Sequence, residues 1–200
     1  MKKIIKLQIV LFVLLLFFSN QKINVKEYQN GYIKIKYKLQ NYPIIASNQM
    51  AIWIKNAKGN YITTIFVTKF MAKGGYKRRE DCCPVWILES NWEKASNNEI
   101  DSVSRATQKA GIQEVLWNCK DKDGKQVNPG IYFYNIEANI YYDERVLFTG
   151  KIEIGNNKNS SKPQLKYFHT KNSKNKKKID NIIKKYGNLI EEIEVIYFPE

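Results

Sequence analysis

Three cysteines, Cys82, Cys83 and Cys119, and one histidine, His169, are the side chains that could ligate a metal, act as a nucleophile or form a covalent bridge. Metal or thiol chemistry needs partners, and these are scarce: no CxxC spacing occurs, and His169 lies in a Lys-rich stretch. In an exported chain three cysteines are disulfide material. A bond between chain neighbours is strained, so one of Cys82 and Cys83 is expected to pair with Cys119. A second group is Asp101, Ser104, Ala106 and Thr107, which brings one carboxylate and two hydroxyls into a single short segment. Its structural explanation is that Asp101 or Ser104 caps a turn or short helix leading into a strand at Ile112. Catalysis finds little other support. No Ser lies in a nucleophile-elbow context. Glu191, Glu192 and Glu194 fall on a predicted strand, where solvated edge charges are expected. Asp121 and Asp123 match part of a calcium loop, but its later acidic ligands are missing, so they are expected to shape a turn.

The elements that must position these residues have a period of two. Ile33, Ile35, Tyr37 and Leu39 alternate with Lys34, Lys36 and Lys38, the pattern of a strand with one buried face. Residues 50–55 and 61–67 are rich in β-branched and aromatic side chains. The stretch between them carries Gly59, as a hairpin loop should. Further strands are expected at 112–118, 131–142, 146–154 and 189–198, separated by turn signals such as Asn128-Pro129-Gly130. Seven strands without regular helix alternation predict an antiparallel sandwich over residues 31–198. Two insertions interrupt it. Residues 68–111 carry Gly74-Gly75, Lys77-Arg78-Arg79, the cysteine pair, Trp86 and Trp92; only 89–95 read as weakly helical, and so long a loop suggests function. Residues 156–188 are Lys-rich. Within them Ile179, Ile182, Ile183 and Tyr186 predict a short amphipathic helix stopped by Gly187.

Lys2, Lys3 and Lys6 precede an apolar run over residues 9–18, followed by polar Ser19-Asn20-Gln21-Lys22. Such a run is too short to cross a hydrocarbon core of roughly 30 Å, so residues 1–20 are expected to be a secretory signal. Only Ser19 is small near the cleavage point, which leaves an uncleaved membrane anchor as the alternative. The chain is thus expected at the periplasmic or extracellular face. Its formal net charge is +14, yet all but four of its 33 basic side chains are Lys, a weaker choice than Arg for bidentate phosphate recognition. Export and this bias argue against a nucleic-acid partner. Lys77-Arg78-Arg79 and the Lys-rich tail could make weak contact with anionic surfaces.

Trp117-Asn118, then Asp121, Gly124, Val127, Gly130 and Tyr132, form a strand-turn-strand block in which the Tyr132 ring can cover the Trp. This block resembles the hairpin signature of the Ig-like domain of the flagellar hook-capping protein. The chain more fully resembles the predicted periplasmic proteins of domain-of-unknown-function family twenty-two seventy-one. The likeness rests on Ala51-Ile52-Trp53-Ile54 with the turn ending at Gly59, on Asp101-Ser102-Val103-Ser104-Arg105-Ala106-Thr107 with Gly111, on the block from Trp117 to Tyr132, and on the closing strand at 189–198. The segment from Asp101 to Thr107 is also similar to the D-x-x-S/T-G/A-A-T sequence at which extracytoplasmic flavin transferases attach FMN to a Thr hydroxyl. That resemblance implies Thr107 as acceptor, Asp101 as a group orienting the transferase-bound metal and phosphate, and Ala106 as the small residue permitting close approach. Arg105 departs from the small residue usual there, and its charge could neutralise a phosphate.

The expectation is therefore an all-β, Ig-like antiparallel β-sandwich of about seven strands with two loop and helix insertions. Its expected role is an exported cell-envelope binding or structural module, not an enzyme, needing no cofactor or metal and contacting an unknown protein or envelope polymer. The alternative is a periplasmic redox protein with FMN covalently attached at Thr107.

Overall fold

The computed structural model describes residues 31–43, 48–141, 144–168 and 176–200. The expected signal or anchor at 1–20 and His169 lie outside the described residues. Alternation sets the first sheet. In β1 (Tyr32–Leu39) the apolar residues Ile33, Ile35, Tyr37 and Leu39 are buried, and the intervening lysines keep one side in water. This strand lies between β5 (Gly111–Trp117) and β10 (Ile190–Phe198), antiparallel to both, so that Lys36 faces Glu114 on one side and Glu194 on the other. A short β8 (Asn159–Ser161) pairs with β10 and completes a four-stranded sheet of order β5-β1-β10-β8.

The second sheet is built on two hairpins. β2 (Met50–Asn56) and β3 (Tyr61–Thr68) are joined by a turn in which Gly59 takes φ +83°, a left-handed conformation that favours glycine. β6 (Gly130–Tyr141) pairs with β7 (Glu144–Ile154), and β9 (Gln164–Phe168) adds to β7. With β4 (Ser104–Arg105) on β3, the order is β4-β3-β2-β6-β7-β9. Among the described residues all strand pairings are antiparallel except β3 with β4. The fold is the expected all-β sandwich. Its seven long strands stand where alternation places them, and three short ones, β4, β8 and β9, extend the sheets.

Between the sheets lies one apolar core containing Ile33, Ile35, Ile52, Ile54, Tyr134, Ile136 and Tyr197, each isoleucine contributing about 1.5–3 kcal/mol by burial. α4 (Lys176–Tyr186) adds Ile179 and Ile182 to this core and ends before Gly187, whose φ of +80° makes it the expected C′ glycine.

The segment between β3 and β5 departs from expectation. Rather than loop with weak helix at 89–95, it folds as α1 (Lys69–Ala72), α2 (Pro84–Ser90) and α3 (Asn97–Val103), with 3-10 turns at Gly75–Lys77 and Trp92–Lys94. Proline at the start of α2 supplies a pre-set φ and costs no hydrogen bond there, which moves the helix ahead of the expected stretch. Met71, Cys82, Cys83, Trp86 and Trp92 pack with Ala51, Trp53 and Val67 into a second apolar cluster. Because side chains alternate along β2, this cluster covers the face of the six-stranded sheet turned away from the first core.

Candidate functional site

The segment from Asp101 to Thr107 leaves a helix, joins a sheet edge and then crosses to the other sheet. α3 is capped by Ser96, whose hydroxyl accepts from Glu99 N, so neither Asp101 nor Ser104 performs the capping expected of it. Asp101 lies within the helix and makes an exposed 3.7 Å ion pair with Lys73, worth little in water. Ser104 and Arg105 pair with Val67 and Thr68 of β3. The Ser104 hydroxyl is buried without a hydrogen-bond partner, and the Arg105 guanidinium, exposed, donates to the adjacent Ser104 carbonyl at 2.9 Å. Past Arg105 the chain runs irregularly toward β5, with Ala106 and Thr107 exposed. Gln108 then accepts a 2.5 Å hydrogen bond from the Tyr37 hydroxyl on β1. Thr107 is thus held between an anchor on each sheet.

Among the described residues both sheets have open edges here: β5 has only β1 beside it, and β4 covers β3 only at Val67 and Thr68. The gap is a cleft of about 470 Å3, with Ile65 and Phe66 on one wall and Glu114, Val115 and Leu116 on the other. Arg105, Ala106, Thr107 and Gln108 also line it. Leu116 is 57% exposed and Val115 9%, so the cleft grades from open to closed. Asp101 does not reach it. That carboxylate lines a separate cleft with Lys73, Trp92 and Ile100. The structure brings Ala106 and Thr107 together, with Arg105 and Gln108, and leaves Asp101 on another surface.

The expected disulfide is not formed: all three thiols are free and buried. Cys82 and Cys83 belong to the cluster under α2, whereas Cys119 sits in the core between the sheets, and that division separates the residues the sequence would pair. Burial pushes the Cys82 thiol up to about 11 and the Cys119 thiol up to about 12, and holds Cys83 well above the ordinary thiol range. None is poised as a nucleophile. Asp121 shapes its turn, its Oδ1 accepting from Asp123 N and Lys125 N at 2.9 Å each, while Tyr132 meets Trp117 edge-on at 5.7 Å. Among the described residues no group of three His, Cys, Asp or Glu is placed to hold a metal, and no helix is long and apolar enough to cross a membrane.

Sequence reasoning missed two features. Asn135, Glu137 and Asn139 on β6 alternate with apolar residues and look like a wet face, but the helical segment covers them. Glu137 is wholly buried, accepting from Trp86 N at 2.9 Å and from Arg145 Nε at 3.1 Å, and burial raises its carboxyl to about 7 against the opposing pull of those donors. The signal that could have found it is Arg145, one of only four arginines, on the neighbouring strand. The second feature is a groove of about 510 Å3 on the outer side of α2, lined by Tyr76, Lys77, Glu80, Ile87, Leu88 and Glu93, with Leu88 82% exposed.

No curated protein and no solved structure matches the chain. Residues 22–168, most of the chain and both hairpins, match the model of a family described as predicted periplasmic protein (DUF2271). The chain belongs to that family, and it is an exported, periplasmic protein.

Proposed function

We propose that this periplasmic protein is a redox carrier module that holds FMN covalently on Thr107, a carrier and not itself an enzyme. The observation that carries this reading is the setting of Thr107: exposed, between two sheet anchors, at the rim of a cleft whose size falls within the range of ligand sites. N-terminal capping does not account for the motif, since Ser96 is the N-cap of α3. Arg105, Ala106 and Thr107 fit the group, whereas Asp101 lies on another surface and takes no part in this setting. Arg105 lines the same cleft as Thr107 and brings a guanidinium to it for the phosphodiester, Ala106 keeps the approach free of bulk, and Leu116 adds exposed apolar surface. Attachment forms a bond from Thr107 Oγ1 to phosphorus as a flavin dinucleotide donor loses its phosphoanhydride bond, the nucleoside monophosphate leaving and the hydroxyl proton passing to the transferase. Bound FMN would supply electron storage and transfer.

Intact mass of the protein from its native host tests this. The expected result is an added FMN mass that is absent in Thr107→Ala; an unmodified native-host protein overturns the reading. A second reading, a cofactor-free module that binds an envelope protein or polymer, is favoured by the groove beneath exposed Leu88. It predicts a colourless protein and loss of partner binding in Leu88→Glu.

A further inference from the structure

Independently of the flavin reading, we infer that the outward face of α4 seats this protein against a membrane surface that displays anionic phospholipid headgroups. The positive charge is segregated along the chain. Residues 156–188 hold ten lysines and one acid, Asp180, and so carry nine of the fourteen net positive charges. Within that segment α4 has its apolar side committed to the fold. Ile179 and Ile182 are buried in the core, and the turn after the helix is tied down where the Tyr42 hydroxyl donates to the Gly187 carbonyl at 2.7 Å. Lys176, Lys177, Lys184 and Lys185 are left exposed on the outside, and none of them joins an ion pair among the described residues.

Helix stability does not account for this arrangement. The first turn of α4 carries Lys176, Lys177 and Lys178 and no acid, the reverse of what the helix dipole favours. A surface of opposite charge turns that cost into attraction. Two features point to headgroups. These lysines line none of the clefts described above, and an ammonium on a flexible stem suits a diffuse layer of phosphates better than one bidentate ligand. At the end of the helix Tyr186 is 38% exposed, with the Lys185 ammonium 5.1 Å from its ring centroid, and such a ring, apolar in body and polar at its tip, suits the depth of the headgroups. Because Ile179 and Ile182 stay in the core, the contact is peripheral and electrostatic.

The test is sedimentation of the whole protein with vesicles of phosphatidylglycerol and phosphatidylcholine. Binding is expected to weaken as salt rises and to vanish on phosphatidylcholine alone. Replacing Lys176, Lys177, Lys184 and Lys185 together by Gln should weaken it by roughly tenfold to a hundredfold, with thermal melting confirming the fold. Replacing the exposed Lys58, Lys109, Lys125 and Lys151 by Gln removes the same charge elsewhere and should change binding by less than about twofold. Equal losses in the two variants, or no binding to the anionic vesicles, overturn the inference. So does soluble polyphosphate that strips the protein from vesicles at matched phosphate concentration, which would mark a polyanion site in place of a membrane one.

Discussion

The two faces of the six-stranded sheet bury the same strands by different means. Toward the four-stranded sheet, Ile52, Ile54, Tyr134 and Ile136 meet an apolar partner face, and the energetics are those of hydrophobic burial. On the opposite face, Trp53 and Ala51 share the surface with Asn135, Glu137 and Asn139, and the helical segment that covers them brings polar partners. Trp86 N and Arg145 bind Glu137, Arg79 binds Asn139, Trp86 Nε1 reaches Thr64, and Trp53 Nε1 reaches Glu89. The first face is specified by shape and tolerates neutral change of similar volume. The second is specified by pairing, and losing one partner strands another in a medium that penalises it.

The largest expected effect is on the pairing face. Arg145→Met leaves the Glu137 carboxylate without its cation and should lower unfolding free energy at pH 8 by about 3–5 kcal/mol in urea titrations. The loss should shrink at pH 5, where Glu137 is protonated in the fold. An equal loss at both values would break the distinction between the faces. On the shape-specified face, Ile136→Ala should cost about 2–5 kcal/mol with no pH dependence.

Next comes the pH profile itself. Folding raises Glu137 from 4.5 to about 7, so the folded chain holds more protons than the unfolded one between those values. The stability this group contributes is present below its unfolded value and is lost as pH rises through about 7, in total on the order of 3 kcal/mol. Glu137→Gln should flatten that slope, as thermal melts from pH 4 to 8 would read. The cysteines sharpen the comparison without an energy: no thiol should react with maleimide in the native protein at pH 8, and all three should in denaturant. The smallest effect belongs to Leu88→Glu, expected within about 0.5 kcal/mol because the side chain packs on neither face.

The strands were legible because alternation is local: Ile33 to Leu39 announce their buried face without knowledge of their partner. The hairpin at Gly59, the Trp117–Tyr132 contact and the stop at Gly187 were equally readable, since each depends on a few consecutive residues. The helices between β3 and β5 were not. Their stretches are short, and what orders them is a sheet face supplied by β2 and β6. The candidate site divides in the same way. Thr107 and its neighbours are visible as a motif, whereas Phe66, Leu116 and Tyr37, which build the cleft and its anchor, come from β3, β5 and β1 and carry no mark of it in their own segments.

Neighbours along the chain dictate which residues face a core, where the turns fall, and that a hydroxyl lies in a flavin-attachment-like segment. Packing of distant segments instead dries the polar face of β6, puts Cys82 and Cys83 in a different cluster from Cys119, and opens Thr107 and Asp101 onto separate clefts. The reason is physical. Burial and cleft shape depend on which distant segment covers a face, and that is fixed by the packing of the whole chain and not by any local pattern.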